Sequence, residues 1–300
     1  MEVLPTREDR VIHKKKYTNG ETYIGHYLNQ KRHGFGVYTW NDGNRYEGSW
    51  CRGKIHGFGR LFWCNGDVDE GQWINSQLHG YGKKTFANGD VYRGFFRHNQ
   101  THGFGVKTFS NGDVHEGFYV DNRRDGIGIY MWSNGDMYLG QWKSGQLHGY
   151  GKKIFENGDV YRGFFHHDLT HGFGMKIFSN GDVHEGFYAK DKRHGFGSYL
   201  WANGDVYVGQ WKNGHQHGIG TKLLSNGELQ VGRFVQNRFL GPDADPVYAS
   251  STCTVCYEES VCLLLEPCLH MVLCESCGNR VTECPYCRHN IEKRRKVFRL

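Results

Sequence analysis

The chain has 300 residues, 23% of them charged and 15% aromatic, with 37 Lys and Arg against 31 Asp and Glu for a net charge of +6. No apolar run is long enough to span a bilayer, and residues 1–16 lack the apolar stretch of a secretory signal. The excess charge lies in residues 1–241, which carry 30 basic and 23 acidic side chains; nucleic acid is disfavoured as a partner, because it would want a denser basic stripe than this.

Residues 1–11 read as a tail. From residue 12 the chain is one repeat array, because ten glycines stand 23 residues apart without a slip: Gly25, Gly48, Gly71, Gly94, Gly117, Gly140, Gly163, Gly186, Gly209 and Gly232. Two residues after each comes an aromatic, from Tyr27 and Trp50 to Trp211 and Phe234. Each unit then runs through a second element, His-Gly-aromatic-Gly in most copies, to a bulky apolar residue such as Trp40, Phe86, Trp132 or Trp201. An Asn-Gly or Asp-Gly pair follows, from Asp42-Gly43 to Asn226-Gly227, and such pairs favour the positive backbone angles of a two-residue hairpin turn. The predicted unit is strand, short loop, strand, tight turn.

Side-chain alternation agrees, for Tyr92, Gly94 and Phe96 fall on one face of a strand and Arg93 and Arg97 on the other. Glycine ordinarily weakens a strand, so its repetition beside aromatics implies rings lying over bare backbone. Between Pro5 and Pro242 there is no proline, as uninterrupted ladders prefer. The 23-residue pattern resembles the MORN repeat over about residues 12–234. That resemblance implies a mainly β fold, an elongated single-layer antiparallel sheet of hairpin repeats, in which each repeat touches only its neighbours. The array is assigned to residues 12–239.

Residues 72–140 and 141–209 agree at 48 of 69 positions, so three-repeat blocks were copied, and no single repeated residue can be read as functional on repetition alone. His33, His56, His79, His102, His148, His171, His194 and His217 each precede a glycine, and Asp125 takes the ninth place. They are expected to cap a loop or a neighbouring strand rather than to build a metal or proton ladder. The Gly-x-Gly pairs lack the strand-loop-helix setting of a phosphate loop.

Two prolines and two acids end this rhythm within residues 240–250, which read as a short, stiff spacer. Residues 251–300 then hold Cys253, Cys256, Cys268, His270, Cys274, Cys277, Cys284 and Cys287, spaced C-x2-C-x11-C-x-H-x3-C-x2-C-x6-C-x2-C. Thiolate and imidazole suit a tetrahedral, borderline-soft cation, and a C-x2-C turn offers two sulfurs to one metal, so two Zn2+ sites are expected. A disulfide framework fits poorly, since seven cysteines and a histidine stand at ligand spacing. Cys51, Cys64 and Cys262 lie outside the pattern and read as fillers rather than nucleophiles. Zinc thiolates and the lack of a signal point to a reduced, intracellular and cytoplasmic setting, with peripheral membrane association the alternative location.

The ligand order resembles the RING finger, a small zinc-bound α+β domain. The resemblance implies a cross-brace, with Cys253, Cys256, Cys274 and Cys277 on one zinc and Cys268, His270, Cys284 and Cys287 on the other. Cys-Thr-Val-Cys, the gap ending in Pro267 and Cys-Pro-Tyr-Cys-Arg further resemble the RING of inhibitor-of-apoptosis ubiquitin ligases. By that likeness Val255, Val281 and Pro285 would form a docking patch for a ubiquitin-conjugating enzyme. Arg288 would hold ubiquitin against its carrier, a bridging task suited to the arginine fork. Phe298 in the C-terminal tail would pack across a RING homodimer and help to contact ubiquitin. The run Lys293-Arg294-Arg295-Lys296 departs from the family's apolar finish and reads as a solvated tail or a helix end.

A RING-type E3 ubiquitin ligase acts by positioning a charged carrier, without a catalytic cysteine. The expected function is that activity, with the repeats selecting a protein substrate or a location. Similar arrays are also associated with anionic lipid surfaces, and modest positive charge can draw acidic headgroups. The alternative is a non-enzymatic scaffold or membrane tether whose zinc domain only dimerises.

Overall fold

The computed structural model describes residues 11–242, 263–266, 270–284, 288 and 290–296. The glycine-aromatic rhythm becomes strands of seven and nine residues in alternation. After β1 (His13–Lys16) come β2 (Thr22–Leu28), β3 (Lys31–Thr39), β4 (Arg45–Cys51), β5 (Lys54–Phe62), β6 (Val68–Ile74), β7 (Gln77–Thr85), β8 (Val91–Arg97) and β9 (Gln100–Thr108). The alternation continues to β20 (Leu229–Val235), and β21 (Arg238–Gly241) closes a 21-stranded antiparallel sheet, two residues beyond the expected end of the array. Two units divide the chain, Met1–Glu156 with Phe165–Asp168, and Asn157–Phe164 with Leu169–Leu300.

Within the first unit the two kinds of connection use opposite turn chemistry, and the expected two-residue turn sits at the other one. Leu28 pairs with Lys31 and Arg97 with Gln100, leaving two-residue loops whose residues all have positive φ: Asn29 and Gln30 at 48° and 61°, His98 and Asn99 at 52° and 66°. That is the type I′ geometry. At the Asp42-Gly43 and Asn-Gly pairs only the glycine has positive φ. There the Gly43 amide donates to Trp40 O and the Trp40 amide to Asn44 O, enclosing a three-residue loop with the glycine at its bulge. The preceding Asp or Asn does not need the left-handed region. Its side chain caps the loop instead, as when Asn88 Oδ1 accepts from the Asp90 amide at 3.0 Å.

One face carries the aromatics of the repeat, and the glycines make room for them. Gly94 and Gly105 pair directly across β8 and β9, and the Tyr92 ring lies over both, its hydroxyl donating to Phe95 O at 3.2 Å. Tyr92 meets Phe96 and Tyr119 edge to face with centroids 5.1 Å apart, a favoured arrangement for ring quadrupoles. Tyr23, Tyr46, Trp73 and Leu78 are buried in the same cluster. In the second unit Tyr207, Trp211 and Phe234 repeat the motif.

Where an aspartate follows Asn-Gly, it ties one turn to the next. Asp67, Asp90 and Asp113 each accept through Oδ1 from the amide of Ala87, Ser110 and Ser133, 20 residues on, at 2.8–2.9 Å. The other carboxylate oxygen meets Lys107 at 3.0 Å from Asp90, or the Tyr130 hydroxyl at 2.7 Å from Asp113. Asp159 and Asp182 do the same in the second unit.

The expectation for the repeated histidines holds at His33, whose ring meets the Arg52 amide at 3.5 Å, and at Asp125, which accepts from the Ser144 amide at 3.0 Å. Two other histidines take the tyrosine position of the buried face. His115 and His184 are fully buried, each with Nδ1 paired to a tyrosine hydroxyl, Tyr119 at 2.7 Å and Tyr188 at 2.8 Å. Cys51 is half-buried and Cys64 exposed in a turn.

Candidate metal centre

Beyond the repeats, β22 (Leu263–Glu266) pairs antiparallel with β23 (His270–Leu273) and with β24 (Lys293–Lys296), and one helical turn, α1 (Glu275–Gly278), follows β23. The buried residues here are Leu265, Leu273, Cys274, Cys277 and Cys284, with Val281 and Ile291 packed against them. Among the described residues the apolar side chains of this cluster are two leucines, and three cysteines complete it. A domain of this size commonly needs another source of cohesion, and thiolate ligation of a metal is one that buried cysteines can provide.

The local backbone prepares the sulfurs. Cys274 caps α1, its Sγ accepting from the Cys277 amide at 3.4 Å and lying 3.2 Å from Ser276 Oγ. Donors aimed at sulfur favour the thiolate, the form that binds metal. The Arg288 amide donates to Cys284 O at 2.8 Å. Arg288 has φ +60° and is exposed.

Of the predicted zinc ligands, Cys274, Cys277 and Cys284 come together, and His270 begins β23 opposite Leu265. Cys253, Cys256, Cys268 and Cys287 lie outside the described residues, as do Val255, Pro285 and Phe298. Among the described residues no three His, Cys, Asp or Glu close around one point. A cross-brace would draw four of its eight ligands from elsewhere. Cys274, Cys277 and Cys284 suit zinc by donor type and burial.

The basic run is neither a solvated tail nor a helix end. Lys293–Lys296 is strand β24, and Arg294 reaches back so that Nε donates to Gly278 O at 2.7 Å and Nη2 to Val281 O at 2.6 Å. One guanidinium thereby braces the end of α1 and the loop that carries Val281. Nothing local marks Arg294 for this role, because four adjacent charges look alike until a strand alternates them. Among the described residues no helix is long and apolar enough to cross a membrane.

Comparison with known proteins divides the chain in the same way. The MORN repeat model matches nine successive segments between residues 23 and 228, and the zinc finger, C3HC4 type (RING finger) model matches residues 249–294. A viral RING finger protein, 157L of Invertebrate iridescent virus 6, is 51% identical over 43 residues, 14% of this chain and 28% of that protein. The E3 ubiquitin-protein ligase rififylin of Rattus norvegicus is 46% identical over 48 residues, 16% of this chain and 13% of its own length. The chain thus spans less than a third of either relative. Among solved structures, the TCP10 domain of Danio rerio CPAP in complex with a peptide of Danio rerio STIL aligns with a TM-score of 0.41 at 13% identity, covering 74% of this chain and 93% of that one.

Proposed function

Because the chain belongs to the MORN-repeat family and carries a C3HC4-type RING finger after the repeats, we propose that it is a RING-type E3 ubiquitin ligase whose array selects the substrate or the place of action. The observation that carries this reading is the segment from Val281 to Arg288: an apolar residue packed on buried cysteines, then an exposed arginine whose amide donates to Cys284 O. Similarity of the domain to a ubiquitin ligase supports it.

Two zinc ions would be held by Cys253, Cys256, Cys274 and Cys277 and by Cys268, His270, Cys284 and Cys287. Bound there, they would be structural, tying together the segments that carry these ligands. Val255, Val281 and Pro285 form the surface that receives the ubiquitin-conjugating enzyme. Arg288 bridges carrier and ubiquitin through its donor fork, restricting the thioester to a reactive geometry, so the gain comes from positioning. Phe298 serves a RING homodimer. The protein substrate is modified on lysine at a cytoplasmic site chosen by the array.

Purified chain with activating enzyme, conjugating enzyme, ubiquitin and ATP should produce conjugates, and Arg288→Ala should slow them while leaving zinc content unchanged. A zinc-loaded but inert protein would instead support a scaffold whose RING only dimerises.

A further inference from the structure

On the face opposite the packed tyrosines, the first unit holds an open groove of about 820 Å³ across β3 to β8. Its floor is bare glycine backbone, Gly48, Gly59, Gly71 and Gly82, because these residues turn their missing side chains toward the tyrosine face. One wall is a row of exposed aromatics, Phe35, Phe58 and Tyr81, at 59%, 72% and 61% exposure. The other wall is a charged row, Glu47, Arg60, Glu70, Lys83 and Arg93, aligned by strand register.

The aromatic row has a spacing. Phe35, Phe58 and Tyr81 stand on alternate strands, with Ser49 and Gln72 between them on β4 and β6. Two strand separations make roughly 9.6 Å. A polyproline II helix advances about 3.1 Å per residue with three residues per turn, or roughly 9.3 Å. Successive turns of such a helix would drop a proline into each gap between rings, and its preformed shape lowers the ordering cost of binding. The run of gaps stops at β8, where Phe95 sits edge to face with Tyr81 at 5.8 Å.

Charge sets the end of the ligand. Arg60 pairs with Glu70 at 2.9 Å, and Glu47 pairs with Arg45. Lys83 lies in register between Glu70, which is taken up by Arg60, and Arg93, and neither Lys83 nor Arg93 has an ion-pair partner among the described residues. Two like charges side by side are unfavourable until an anion joins them.

We propose that this groove binds a proline-rich segment of a partner protein, in polyproline II conformation, with an acidic residue beyond its second proline turn that meets Lys83 and Arg93. The proposal rests on reading the array as the partner-selecting part, and names the partner's chemistry.

The test is fluorescence anisotropy of the full chain with three labelled peptides: an oligoproline ending in two aspartates, the same oligoproline ending in two lysines, and a glycine-serine peptide ending in two aspartates. The first should bind saturably and at least about tenfold more tightly than the other two. Phe58→Ala and Tyr81→Ala, exposed positions that should leave the melting temperature unchanged, should each weaken it about tenfold. The double variant Lys83→Glu/Arg93→Glu should reverse the preference between the two endings. Equal binding of all three peptides, no saturable binding, or uptake by phosphatidylserine vesicles without peptide binding would overturn the proposal. Ubiquitin discharge by the same preparation reports on the RING separately, so the two readings can fail independently.

Discussion

Replacing Gly94 with alanine adds one methyl group to the crowded side of β8. Its Cβ would lie 2.5 Å from Gly105 Cα, 2.6 Å from the Tyr92 hydroxyl and 2.7 Å from Phe104 O, whereas carbon contacts settle at about 3.5–4.0 Å. Two of those atoms are backbone of the paired strand, so relief requires the strands to part or the tyrosine ring to lift. Overpacking costs about 1–3 kcal/mol, and loss of the hydrogen bond from Tyr92 to Phe95 O adds about 1 kcal/mol. The expected loss is about 2–4 kcal/mol. Gly94 is not at positive φ, so the backbone term alone would favour alanine by about 0.4–1 kcal/mol, and packing decides the sign. All eight tryptophans lie in the repeats, so urea unfolding followed by tryptophan fluorescence reads this region. Phe95→Ala, one residue away on the open face, is the control and should cost no more than its edge-to-face contact with Tyr81, about 0.5–1.5 kcal/mol. A neutral or stabilising Gly94→Ala would refute the role of the glycine column as a seat for the ring.

Burial pushes the His115 and His184 imidazoles down from 6.5 to about 3, with Arg124 and Arg193 adding smaller pushes. The unfolded chain therefore takes up protons first. Stability should be intact above about pH 6.5 and fall by about 1.4 kcal/mol per pH unit for each histidine as pH drops toward 3. Replacing both with tyrosine, the residue at the matching positions Tyr92 and Tyr161, should flatten the loss between pH 6.5 and 5; parallel curves for the two proteins would contradict this. Asp90→Ala removes the acceptor for the Ser110 amide and the Lys107 ion pair, and should cost about 1.5–3 kcal/mol. Asp90→Asn, keeping Oδ1, should recover part of that in the same urea titration. Zinc removal by chelator, or Cys284→Ser, should abolish ubiquitin transfer and expose the RING to protease while the tryptophan transition stays in place; a shared transition would mean that the metal also holds the repeats.

The glycine period, the face alternation and the cysteine spacing were legible because each repeats or closes a pattern within the sequence. Turn type was not. Asn-Gly suits both hairpin geometries, and the choice depended on the amide two residues before the pair and the carbonyl of the residue after it, as at Trp40 and Asn44. The Asp90 ladder was hidden for a similar reason, since its partner is one repeat away and an aspartate after Asn-Gly looks like ordinary turn polarity. The burial of His115 could have been found by aligning it with Tyr92, which has the same place in its repeat. Likewise the groove follows from comparing Ser49 and Gln72 with Phe95 and Phe118, small or polar against aromatic at one repeat position. Arg294 was unreadable, because its acceptors are backbone carbonyls that exist only once α1 and the Val281 loop have formed.

Single-turnover discharge of a ubiquitin-charged conjugating enzyme onto free lysine is the most direct measure of the proposed activity. Zinc-loaded wild-type chain should accelerate discharge, and Arg288→Ala, at the same zinc content and with the same melting behaviour, should lose at least about tenfold of that acceleration. Discharge no faster than with the conjugating enzyme alone, or an Arg288→Ala protein as active as wild type, would contradict it.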